Sequence, residues 1–121
     1  MNWSSVALVV LLIALYIWFK RAGQISHQAA VQHLKHGAML IDVRSAAEYI
    51  AGHLPNAVNM PLSEIRELVP RKVKDKERVL LLHCQSGMRS GAARRQLRAM
   101  GYTNAHNLGS YARAASVVKS R

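Results

Sequence analysis

The sequence predicts an α/β fold in which a parallel sheet is flanked by helices on both faces and preceded by one transmembrane helix. Three observations lead there. Positions 3–19, WSSVALVVLLIALYIWF, carry no charge and are followed at once by Lys20 and Arg21. From about Ile25 onward, short apolar runs alternate with amphipathic stretches, the rhythm of strands joined by crossover helices. Within that rhythm VLLLH, positions 79–83, is an unbroken apolar run of the kind a strand shows when both its faces are covered. A chain of 121 residues holds one compact domain. The divisions fall at 1–21 for the anchor and its basic flank, 22–26 for a hinge containing Gly23 and Gln24, and 27–121 for the α/β domain.

As a helix, the uncharged stretch extends about 25 Å, near the lower limit for a bilayer span. Trp3, Tyr16 and Trp18 lie towards its two ends, where amphipathic rings settle at membrane interfaces. A cleaved signal peptide would need basic residues before the apolar run and small residues at a cleavage site after it, and neither is present. Because the positive charges follow the span, the domain is expected on the cytoplasmic side of a single-pass membrane protein, with a bacterial inner membrane the natural setting. The one cysteine excludes an intramolecular disulfide and suits a reducing compartment.

The remaining elements follow in order. Ser26 can cap a helix through Leu34 whose Ala29, Ala30, Val31 and Leu34 form an apolar face, and Gly37 can end it. AMLIDV, 38–43, reads as a buried strand, AAEYIAGH as a helix, and AVNM as a second short strand. SEIRELV reads as a helix capped by Ser63, and RKVKDKER, 71–78, as a solvated connection. After VLLLH come a polar loop, a long helix to about Met100, and a last strand in TNAHNL. Ligands of such sheets bind at the carboxyl ends of the strands, which directs attention to the loop after VLLLH.

That loop reads HCQSGMRSG. A buried structural cysteine belongs inside an apolar strand, whereas Cys84 stands at a strand's polar end with Gly87 and Arg89 after it. Successive amides curling into a helix start form a positive nest, and Gly87 permits the tight turn. A thiol there should ionise readily and act as a nucleophile.

Two motifs resemble the rhodanese homology family over nearly all of positions 25–121. IDVRSAAEYIAGHLPNAVNMP, from Ile41 to Pro61, resembles the family's DVR, EY, GHLP and A-x-N-x-P pattern. CQSGMRS resembles its six-residue active loop, with Cys84 first, Gly87 fourth and Arg89 sixth. Cysteine phosphatases place five residues between Cys and Arg, and the smaller cradle made by the four found here resembles a sulfurtransferase site. The resemblance implies a rhodanese-like parallel sheet and an enzyme of the thiosulfate:cyanide sulfurtransferase class. Cys84 would take a sulfane sulfur from thiosulfate or a protein persulfide and pass it to a thiol or cyanide. Gln85, Ser86, Gly87, Met88, Arg89 and Ser90 would form the persulfide-binding loop, with Arg89 holding the sulfonate of a donor. Gln85 departs from the arginine many members carry at that position, which leaves room for donors other than thiosulfate. The closing segment NLGSYARAASVVKSR lacks the family's usual Trp, so a less well packed last helix is expected.

Asp42 and Arg44 are expected to support the loops at a strand end rather than to react. Glu48 and His53 read as capping and packing residues. His83 neighbours Cys84 on a strand, so its ring points to the other face. His33 and His36 lack a third ligand, and neither a metal nor an organic cofactor is expected. The net charge of +11 favours anionic partners. Its basic runs lack interleaved aromatics, which argues against nucleic acid and for the anionic surface of a lipid bilayer. The competing function is a non-catalytic rhodanese-like binding module at the membrane.

Overall fold

A computed structural model describes residues 2–121 of the chain; Met1, assigned by the sequence to the anchor, lies outside them. Helix α1 (Trp3–Ala22) leads to α2 (His27–Lys35), β1 (Met39–Asp42), α3 (Ala46–Ala51) and β2 (Val58–Asn59). A 3-10 turn (Leu62–Glu64) runs into α4 (Ile65–Lys72), followed by β3 (Leu80–His83), α5 (Met88–Ala99), β4 (Ala105–Gly109) and α6 (Tyr111–Ser120). The strands form one parallel sheet in the order β2-β1-β3-β4.

The period-two alternation of strand side chains sorts the apolar residues to two faces. Ile41, Leu80 and Leu82 pack with Ile65, Val69, Ala93 and Leu97 of α4 and α5. Leu40, Leu81 and Leu108 pack with Ala30, Leu34, Ala114 and Val117 of α2 and α6. The α/β architecture is therefore the one expected, and Leu80, Leu81 and Leu82 of β3 are all apolar because helices cover both of its sides. Each fully buried leucine contributes about 1.5–3 kcal/mol relative to exposure. Between Leu82 and His83 the partner on β4 jumps from Asn107 to Gly109, so β4 carries one extra residue where it approaches the end of β3.

Several local readings change. Ser26 does cap α2, accepting from the Ala29 amide. Ser63 caps nothing: it lies inside the 3-10 turn, and α4 begins at Ile65. The stretch 71–78 is not wholly solvated, because α4 continues to Lys72 and Val73 is buried, its carbonyl accepting from the Tyr102 hydroxyl at 2.8 Å. The second strand shrinks to two residues. The last helix is well seated despite the missing Trp, since Ala114 and Val117 are fully buried. Residues 22–26, read as a hinge, are tied to the sheet: Gln24 bridges Asn107, and the Ile25 amide donates to the Asn107 carbonyl. Arg113 donates to the Ile25 carbonyl from below.

The transmembrane helix is not shown. No helix among the described residues is long and apolar enough to cross a membrane. α1 forms, but its uncharged part spans only residues 3–19, which at about 1.5 Å per residue falls short of the ~30 Å hydrocarbon layer. Its large apolar side chains, Trp3 through Phe19, are exposed.

Leu82→Ala should lower stability by about 2–5 kcal/mol, read as a reduced urea midpoint with an unchanged denaturant slope.

Candidate active site

Cys84 directly follows β3, and its amide donates to the Gly109 carbonyl at 3.2 Å. The chain then turns so that the Gly87 amide donates to Cys84 Sγ at 2.9 Å. That turn requires glycine. Gly87 has φ +96°, and a Cβ there would stand 3.3 Å from the Cα of Gly109. Gly109 is constrained likewise, with φ +99° and a Cβ site 3.1 Å from Gln24 Nε2. Gly87 caps α5, so the amides of the helix start face the sulfur.

Asn107 holds the loop from below. Its Oδ1 accepts from the Ser90 hydroxyl at 2.7 Å and the Gly109 amide at 2.9 Å, while its Nδ2 donates to the Gly87 carbonyl at 3.2 Å. On the outer side the Tyr111 amide donates to the Gln85 carbonyl, and Ser86 bridges Ser110. The loop is thus stitched along its length to the β4–α6 connection. Gln85, Ser86 and Met88 are exposed, whereas Cys84, Gly87 and Ser90 are buried.

Burial pushes the Cys84 thiol up, but hydrogen bonds from Ser90, Gly87 and Ser86 outweigh it, and its pKa lies below that of an ordinary thiol. The Gly87 amide is the firm donor. Ser90 Oγ lies 3.5 Å from Sγ but only 2.7 Å from Asn107, and it has one proton to give. When Cys84 ionises, that proton can turn to the sulfur while Asn107 keeps the Gly109 amide.

Two ion pairs stand beside the loop around a shallow cleft of about 280 Å³ lined by Arg44, Glu48, Ala51, Gly52, Gln85 and Tyr111. Arg44 grips the buried Asp42 through Nε and Nη2, donates to the Gly52 carbonyl at 2.8 Å, and lies 4.9 Å over the Tyr111 ring. Arg89 turns its two Nη atoms onto Glu48, at 2.7 and 3.0 Å. Its fork is therefore directed at Glu48, not at a donor's sulfonate. Glu48 also closes the capping box of α3 with Ser45. The Arg89 hydrogen bonds, aided by Ser45, hold its carboxyl at about 2. His53 stacks on Tyr49.

His83 is fully buried, its Nδ1 3.3 Å from the Cys84 carbonyl and its Nε2 without a hydrogen-bond partner, 3.8 Å from Asp42. Burial lowers its pKa, so it stands as a neutral imidazole. Among the described residues no group of three His, Cys, Asp or Glu side chains could hold a metal.

The rhodanese-like domain model matches residues 26–113, and that span includes the whole of this loop and its supports. The chain belongs to the rhodanese-like family. Across 69 residues, 57% of this chain and 66% of the relative, it is 39% identical to the thiosulfate sulfurtransferase PspE of Escherichia coli. It is 36% identical over 82 residues to the human thiosulfate:glutathione sulfurtransferase, covering 58% of this chain and 71% of that one. A solved human single-domain sulfurtransferase superposes with a TM-score of 0.66 at 31% identity, over 78% of this chain and 96% of that chain.

In this rhodanese-like domain the structure gathers Cys84, the loop to Ser90, Asp42 and Arg44 around one end of the sheet. Sequence reasoning overlooked Asn107 and Tyr111 and gave Glu48 only its capping duty. For Asn107 a signal was present: a polar side chain at the buried end of a strand needs partners.

The rate of Cys84 alkylation by iodoacetamide, followed against pH, should show a midpoint below the ~8.5 of a free thiol. Since a lost donor disfavours the thiolate, Ser90→Ala should move that midpoint upward.

Proposed function

We propose that this protein is a sulfurtransferase that carries a sulfane sulfur on Cys84. The observation that carries the reading is the Gly87 amide 2.9 Å from Sγ in a loop built to hold an anion on sulfur. In the first half-reaction the Cys84 thiolate attacks the outer sulfur of a donor. Its electron pair forms the new S–S bond, and the donor's S–S bond breaks with its pair leaving on sulfite from thiosulfate, or on a thiolate from a persulfide. The charge formerly on Cys84 now resides on the terminal sulfur, within reach of the loop amides. A thiol or cyanide then attacks that terminal sulfur and restores the Cys84 thiolate. Because the thiol is already biased towards its ionised form, the first step needs no adjacent general base.

The complete burial of Cys84 favours the second reading, a non-catalytic binding module, because reactive thiols usually keep some exposure. One measurement decides between them. Incubation with thiosulfate or cysteine persulfide should add the mass of one sulfur atom to the protein, and Cys84→Ser should abolish the gain. An unmodified mass with both donors would sink the enzyme reading.

For location, we propose that α1 holds the domain at the cytoplasmic face of a membrane. Its exposed apolar side chains, the basic pair at positions 20 and 21, and the reduced lone cysteine support this. The full chain should float with vesicles containing anionic phospholipid on a density gradient, and Leu11→Lys with Ile13→Lys should leave it at the bottom.

A further inference from the structure

A cavity of about 560 Å³ lies between the end of α1 and the first turns of α5. Tyr16, Trp18 and Phe19 of α1, with Met88, give it an apolar wall, and Arg94 and Arg95 of α5 give it two cations. Gly91 keeps it open: a Cβ there would stand 3.3 Å from Asn107 Nδ2 and 3.9 Å from Arg95 Nη1. Among the described residues Arg44, Arg71 and Arg89 each pair with a carboxylate, and Arg94 and Arg95 pair with none. Burial, then the neighbouring Arg98 and Arg95, lower the pKa of Arg94, which marks a crowded cation that an anion would relieve. Trp18 and Phe19 are exposed, and they continue a run of exposed apolar side chains that reaches back along α1 to Val6. A small anion would answer the arginines and leave the aromatic wall in water. An apolar molecule would cover the wall and desolvate the cations without a partner. Only a ligand with an anionic head and an apolar tail answers both.

We propose that this cavity binds an anionic phospholipid, its phosphate held by Arg94 and Arg95 and its acyl chains laid against Trp18, Phe19 and the rest of α1. The inference rests on the membrane placement proposed above, and it requires α1 to reach the bilayer interface, not to cross it. At that depth aromatic rings and basic side chains are both favoured. The planar guanidiniums suit a phosphate, which each can hold through two parallel hydrogen bonds. A free phosphate ester would meet the same two cations but would forgo the apolar wall, so the two sources separate by experiment.

The full chain in neutral detergent micelles, given equal amounts of phosphatidylglycerol and phosphatidylcholine, should be followed by native mass spectrometry. It should retain a single phosphatidylglycerol, preferred about thirtyfold, the scale of two basic residues facing an anionic headgroup. Arg94→Gln with Arg95→Gln should erase the preference. Arg95→Gln alone, at an exposed position that the fold does not need, should lower it about fivefold. Lys72→Gln with Lys74→Gln removes the same charge from exposed positions outside the cavity and should leave the preference as it is. An equal loss in that control would mean that net charge alone recruits the lipid, and it overturns the proposal. So does a wild-type chain that retains both lipids alike, or glycerol phosphate that displaces phosphatidylglycerol at equal concentration, since the acyl chains would then contribute nothing. Failure of the full chain to float with vesicles would instead overturn the membrane placement, which the micelle measurement does not use.

Discussion

The amide side chain of Asn107 is the fixed point on which the site depends. Its Oδ1 accepts hydrogen bonds from the Ser90 hydroxyl and the Gly109 amide, and its Nδ2 donates to the Gly87 carbonyl. Those three groups belong to the first turn of α5, the end of β4 and the apex of the Cys84 loop. The apex cannot close without Gly87 in its left-handed conformation against Gly109, and that backbone approach leaves no room for a Cβ on either residue. Only with the apex closed does the Gly87 amide reach the sulfur. The lowered pKa of Cys84 is thus a consequence of how two glycines and one asparagine let a strand end and a loop lie against each other.

The sheet explains why such an arrangement can be rigid. β3 is paired on both sides and covered on both faces, so the residue after it inherits a well-defined position. The extra residue in β4 then shifts the neighbouring strand so that Gly109, rather than Leu108, presents its carbonyl to the Cys84 amide. A regular ladder would have carried the pairing straight past the loop.

Much of this was legible in the sequence where the signal is local. Unbroken apolar runs located β1 and β3, and the spacing from Cys84 through Gly87 to Arg89 marked the loop. Ser26 was recognisable as a cap because its partner lies three residues on. What escaped was long-range. The Glu48–Arg89 pair joins residues 41 positions apart, and no spacing rule links a helix start in one βα unit to the loop of another. Asn107 looked like an ordinary strand residue because its partners come from three segments. The start of α4 was misplaced because Ser63 has the composition of a cap but stands inside a 3-10 turn. The amino-terminal run reads as a span by apolarity, but no helix among the described residues is long and apolar enough to cross a membrane.

The full enclosure of Cys84 bears on the durability of the site. A thiolate made nucleophilic is also the form that peroxide attacks, and oxidation past the sulfenic acid cannot be undone by thiols. Buried at the base of a loop whose Gln85, Ser86 and Met88 are exposed, the sulfur offers an oxidant no more access than it offers a larger reactant. The burial that makes the cysteine slow to reach is thus the same burial that spares it from irreversible oxidation.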